Sequence, residues 1–165
     1  MKEKPIARFK VSFKRLYLVV LAWDFSAFLL FVIADVAVRG VENINFSCAL
    51  ITILVAIIGM AVAAAALSAL LVAYCKVSVY QDRIGGHDFW GFYREQKWSE
   101  TENVRPLNYL PGLKMAILHS RSNKIWLPMI LADMKRFRTL VSELASPDSA
   151  LVEYLTQNEQ QEIDT

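Results

Sequence analysis

The chain has 165 residues, is 55% hydrophobic and holds only two cysteines and two histidines, too few for a disulfide-stapled scaffold and not at the spacing of a Cys/His zinc site. Its formal charge of +2 conceals a segregation that matters more than the sum. Lys2, Lys4, Arg8, Lys10, Lys14 and Arg15 face Glu3 alone in residues 1–15, whereas residues 146–165 carry Asp148, Glu153, Glu159, Glu162 and Asp164 with no base. Blocks of this kind mark a basic membrane-surface flank and a solvated acidic tail.

In residues 1–15, Ile6, Phe9, Phe13 and Leu16 recur at helical spacing among the basic residues. That spacing predicts a short interfacial helix whose Arg8, Lys10, Lys14 and Arg15 meet anionic headgroups; the alternative is a disordered basic flank. Two apolar runs follow, residues 16–38 and 49–75. As helices they would be roughly 35 and 40 Å long, against a hydrocarbon core of about 30 Å. Residues 39–48 allow only a tight turn, so residues 16–75 read as a transmembrane helical hairpin. Basic residues precede the first run, Lys76 and Arg83 follow the second, and the connection carries only Arg39. Both termini are therefore expected in the cytoplasm. The first run is too long for a signal-peptide core and reads as a retained anchor.

Within the hairpin, Asp24 is the costly residue, because a charge at mid-bilayer costs at least about 2.5–3.5 kcal/mol. Three roles fit it: a proton carrier, a partner for a polar residue of another membrane subunit, or a neutral carboxyl hydrogen-bonded within the hairpin to Ser68 or Thr52. Asp35 lies near the outer end, within reach of water. Ala61, Ala65, Ala69 and Ala73 recur every fourth position, and Gly59 with Ala63 adds a second small-xxx-small pair. Such ridges let helices approach closely, either within the hairpin or against a second copy or another membrane protein. Cys48 and Cys75, at opposite ends of the second run, are roughly 40 Å apart, beyond the ~7 Å limit for pairing.

After Cys75 the period becomes two. Residues 76–80 alternate, Gly85-Gly86 interrupts, and residues 87–94 read as an aromatic strand. Residues 94–97 read as a turn before Trp98. Asn108, Pro111 and Gly112 punctuate a loop. Residues 113–120 and 124–129 form a strand pair around the turn 121–123. Asp133 is a helix N-cap, and Met134, Phe137, Leu140, Val141 and Leu144 form one apolar stripe that ends before Ser146-Pro147-Asp148. The expected fold is α+β: a transmembrane hairpin, then a small antiparallel domain over residues 76–145 covered by its C-terminal helix. Residues 146–165 are expected to be an acidic, disordered tail, although Leu151, Val152, Tyr154 and Leu155 could dock as a short turn.

The stretch VYQDRIGGHDFWGFYREQKWSE, followed by LKMAILHS, KIWLP and DMKRFRTLVSEL, resembles the bacterial pleckstrin-homology-like domains carried behind transmembrane helices in small membrane proteins. Tyr80, Ile84, Gly91, Trp98, Ser99, Glu100, Leu118, Ile125, Pro128 and Phe137 carry the likeness, and Thr101-Glu102 departs from it. The resemblance implies an open barrel with a capping helix, a bacterial inner-membrane location, and a binding or scaffold role. It also implies that Arg94, Lys97, Arg121 and Lys124, at hairpin turns, are candidate contacts to anionic lipid; no tight cluster builds a phosphate pocket, and the alternative is that these are solvated turns.

No catalytic, cofactor or metal constellation is visible. His87 and His119 are isolated, and Gly85-Gly86 lacks a phosphate-loop pattern. Trp90, Phe92, Tyr93, Trp98 and Trp126 could stack nucleic acid, but strand alternation assigns them to core or membrane-facing positions. Three functions fit: a non-catalytic membrane-anchored interaction module, an accessory subunit of a larger membrane complex, or an ion or proton pathway through oligomerised hairpins.

Overall fold

In the computed structural model, which describes residues 4–40, 46–88, 90–110, 112–121 and 123–163, the chain forms two compact units. Phe13–Leu70 is one; the residues up to Ser12, together with those from Leu71 onward, are the other. Residues 41–45 of the expected tight turn and Cys48's side chain lie outside the described part, as do Lys2, Pro111, Ser122 and Asp164.

The first unit is helical. α1 spans Phe13–Arg39 and α2 spans Phe46–Tyr74. α1 stops at Gly40, whose φ of +77° lets its N–H reach the Val36 carbonyl at 2.9 Å. Both helices are long and apolar enough to cross a membrane, and only 6% of the most apolar stretch of each is buried.

The second unit is a seven-stranded antiparallel sheet with two C-terminal helices. The strands are β1 (Ala7–Lys10), β2 (Lys76–Val79), β3 (Arg83–His87), β4 (Tyr93–Lys97), β5 (Asn103–Leu110), β6 (Leu113–His119) and β7 (Lys124–Pro128). Their order is β1-β2-β3-β7-β6-β5, with β4 also paired to β3. α3 (Met134–Leu144) and α4 (Ala150–Ile163) follow.

Several expectations hold. The β6–β7 hairpin forms around residues 121–123, and Asp133 caps α3 by accepting the Arg136 N–H at 3.1 Å. On β6, Ala116 and Leu118 point into the core while Met115, Ile117 and His119 take the other face.

Others are overturned. Residues 7–10 are a strand, not part of an interfacial helix. Arg8 and Lys10 alternate with buried Phe9 and Val11, and the Phe9 ring meets Phe137 of α3 edge-on at 5.2 Å. Gly85-Gly86 does not break the strand; it lies within β3. A Cβ on Gly85 would strike the Tyr93 hydroxyl, and one on Gly86 would come within 2.7 Å of Ile125 Cγ2. Residues 94–97 belong to β4, with Gln96 buried and donating to Thr101 Oγ1 at 2.8 Å. Trp98-Ser99-Glu100 forms a 3-10 turn that buries Trp98, whose indole donates to the Gln81 carbonyl at 3.2 Å. The acidic tail is α4, not a disordered segment: Leu151 and Leu155 are core residues, and Glu159 meets Arg138 of α3 at 3.7 Å. The folded unit thus extends on both sides of the expected 76–145 boundaries.

Candidate functional site

β1 runs antiparallel to β2 with Lys10 opposite Lys76, and β3 runs back along β2 from Ile84 to His87. The end of β1, the start of β2 and the end of β3 therefore share one end of the sheet. From that end the chain enters α1 after only Val11 and Ser12, and it returns from α2 through Cys75 alone.

The β3–β4 turn projects from the same end. Asp88 builds it: one carboxylate oxygen accepts the Trp90 and Phe92 N–H groups at 3.0 and 2.9 Å, and the other accepts Arg94 Nε at 3.3 Å. Gly91, at φ +80°, closes the turn by donating to the Asp88 carbonyl at 3.0 Å. Burial works to raise the Asp88 pKa, but the bonds from Phe92, Arg94 and Trp90 outweigh it and hold the carboxyl below its ordinary range. The turn presents Trp90 and Phe92 at 78% and 63% exposure, and Tyr93, which opens β4, turns its hydroxyl to that of Tyr80 at 3.2 Å. At its base His87 packs edge-on against Tyr93 at 5.5 Å. Burial lowers the His87 pKa; the Asp88 charge opposes this and Lys76 adds to it.

The predicted surface cations are only partly brought together. Lys10 and Arg94 lie at the end just described, and Lys14 and Arg15 are exposed in the first turn of α1. Lys97 is at the far end of β4, opposite Arg83. Arg121 is engaged by Glu102 at 2.9 Å. It lines an open depression of about 420 Å³ with Ser99, Glu100, Glu102 and Ser120, where two carboxylates face one guanidinium and disfavour an anion. Lys124 opens β7 opposite His119 and, behind burial as the larger cause, helps depress that histidine's pKa. Among the described residues no group of His, Cys, Asp and Glu could hold a metal ion.

In the helical unit, Asp24 is half-buried and forms no hydrogen bond or ion pair among the described residues. The Ser68 hydroxyl is buried without a partner, so the expected Asp24–Ser68 bond is not made. Ala61 and Ala65 are half-buried, whereas Ala69, Ala73 and Gly59 are exposed. The fully buried small residues of α2 are Ala64 and Ser68, one position off the expected ridge.

Sequence reasoning missed the aromatic turn by reading residues 87–94 as one strand. The spacing Asp88-x-x-Gly91 was the available signal, because an aspartate accepts the backbone N–H groups of a turn that a glycine closes. No protein-family model, curated protein or solved structure matches this chain.

Proposed function

We propose that this chain is a non-catalytic, membrane-anchored interaction protein: α1 and α2 span a bilayer and hold one folded antiparallel domain, of pleckstrin-homology-like type, on its cytoplasmic face. The observation that carries this reading is the pairing of β1 with β2. One strand precedes the helical hairpin and the other follows it, so helices that cross must return to the side they left. The basic residues around Lys10 and Lys76 support the cytoplasm as that side. The exposed apolar surface of both helices supports insertion, because water does not tolerate contiguous apolar surface on this scale. A small sheet with a mixed-charge surface and, among the described residues, no assembled acid–base or nucleophile set supports a binding role over catalysis.

The test is topology in intact cells. Tags at both termini should resist external protease, and a membrane-impermeant thiol reagent should label Cys48. A C-terminal tag cut from outside would refute the arrangement.

Asp24 favours a second reading, an accessory subunit of a membrane complex. A carboxyl with no partner among the described residues, half-buried in an apolar helix, is well placed to bond to a polar group of another subunit. Under that reading, extraction in mild detergent yields a large co-purifying assembly that Asp24→Asn dissociates. An unchanged small particle argues against it.

A further inference from the structure

We propose that the β3–β4 turn is a second, non-spanning membrane anchor, in which Trp90 and Phe92 enter the headgroup–acyl boundary of the bilayer that holds α1 and α2. The inference rests on the membrane-anchored reading above and adds a lipid-contacting element to it.

Among the described residues of the folded unit, the large apolar side chains left exposed are Ile6, Tyr74, Trp90, Phe92 and Tyr93. Two of these five, Trp90 and Phe92, share one turn, and Tyr93 follows as the first residue of β4. Single exposed apolar residues need no explanation, but a cluster on a constrained turn does. Asp88 fixes the backbone through two N–H bonds, so little conformational freedom is left to lose when the rings are buried elsewhere.

The chemistry and the topology select lipid as the occupant. The Trp90 indole, apolar with a polar edge, favours the membrane–water boundary, and the Phe92 ring adds apolar area beside it. The turn leaves the sheet at the end where the chain passes into α1 and out of α2. The two-residue link there reaches at most roughly 7 Å, which keeps that end of the sheet close to the headgroups. Arg94 is paired with Asp88, and Lys10 and Lys76, opposite each other at this end, add positive charge that suits an anionic leaflet.

The test uses the full chain in nanodiscs of phosphatidylcholine and phosphatidylglycerol, with Cys48→Ser and Cys75→Ser as background. A fluorophore is placed through Trp90→Cys, Phe92→Cys, Leu30→Cys or Asp148→Cys, one at a time. Quenching by brominated lipid is compared with quenching by aqueous iodide. Leu30 is exposed on α1 and reports the span; Asp148 is exposed between α3 and α4 and reports water. The expected result is lipid quenching several-fold above iodide quenching at Leu30, 90 and 92, with the reverse at Asp148. Iodide quenching at 90 and 92 with lipid quenching at Leu30 overturns the turn anchor and leaves the spans standing. Shielding of 90 and 92 from both quenchers means that a second copy covers the turn, and also overturns it. Iodide quenching at Leu30 overturns the spanning helices and the turn anchor together.

Discussion

Phe137 is the residue on which the folded unit turns. It is fully buried, it meets Phe9 from the N-terminal strand, and it joins α3 to the sheet. Phe137→Ala should cost about 3–5 kcal/mol in denaturant unfolding of the detergent-solubilised chain. The two adjacent glycines of β3 should separate by the yielding of what crosses them. Gly85→Ala meets the end of a half-exposed tyrosine that can swing away. Gly86→Ala meets Ile125, which is fully buried, so it should lower the melting temperature more. The histidines set an acid slope. His87 and His119 both have depressed pKa values in the fold, chiefly through burial. The unfolded chain therefore binds protons that the fold refuses, and the stability they confer is full above about pH 6.5 and declines as the pH falls from there toward the depressed values. Thermal melts should show this loss, each single His→Asn variant should reduce it, and the double variant should remove it. Asp88, shifted down, adds a separate loss only below the ordinary carboxylate range.

At the scale of elements, α4 and α2 are the informative cases. Leu151→Ala should cost about 2–5 kcal/mol, the cost of a core leucine and not of a tail residue. On α2 the contrast lies between neighbouring alanines. Ala64→Leu overfills a buried position and should destabilise by about 1–3 kcal/mol, whereas Ala69→Leu and Ala73→Leu, on exposed positions, should leave thermal stability unchanged. A fall in particle size for the latter pair alone would locate a lateral contact. These elements also show what the sequence could disclose. α3 was readable because its cap, stripe and terminator agree locally, and the β6–β7 hairpin because its alternation flanks a polar turn. β1 was not, because four residues of a basic flank become a strand only when β2 is beside them. β3 was misread because two glycines look like a break until Tyr93 and Ile125 are seen lying across them. α4 was hidden by acidic composition; only the spacing of Leu151 and Leu155 betrayed its inner face. At the candidate site the surface cations were visible in the sequence, but which of them share an end of the sheet depends on strand direction, and so on the whole topology.

For the whole molecule, the pairing of β1 with β2 sets an order of events during synthesis. Sixty-six positions separate Lys10 from its partner Lys76. At about 5–20 residues per second the first strand waits roughly 3–13 s for the second to be made, while both apolar helices emerge in between. If the hairpin inserts as a pair, the two strands meet in one compartment and the sheet can close. If only one helix crosses, or the pair inverts, β1 and β2 end up apart or the basic flank is on the wrong side, and Phe9 has no Phe137 to cover. On the membrane-anchored reading proposed above, folding of the domain would thereby report on insertion: a misinserted chain would expose an unfinished core where proteases can reach it. Chains with Lys10, Lys14 and Arg15 changed to Glu, which weaken the orienting charge, should accordingly be lost by rapid degradation, with pulse-chase half-lives shortened well beyond those of equally destabilised Phe137→Ala chains that insert correctly.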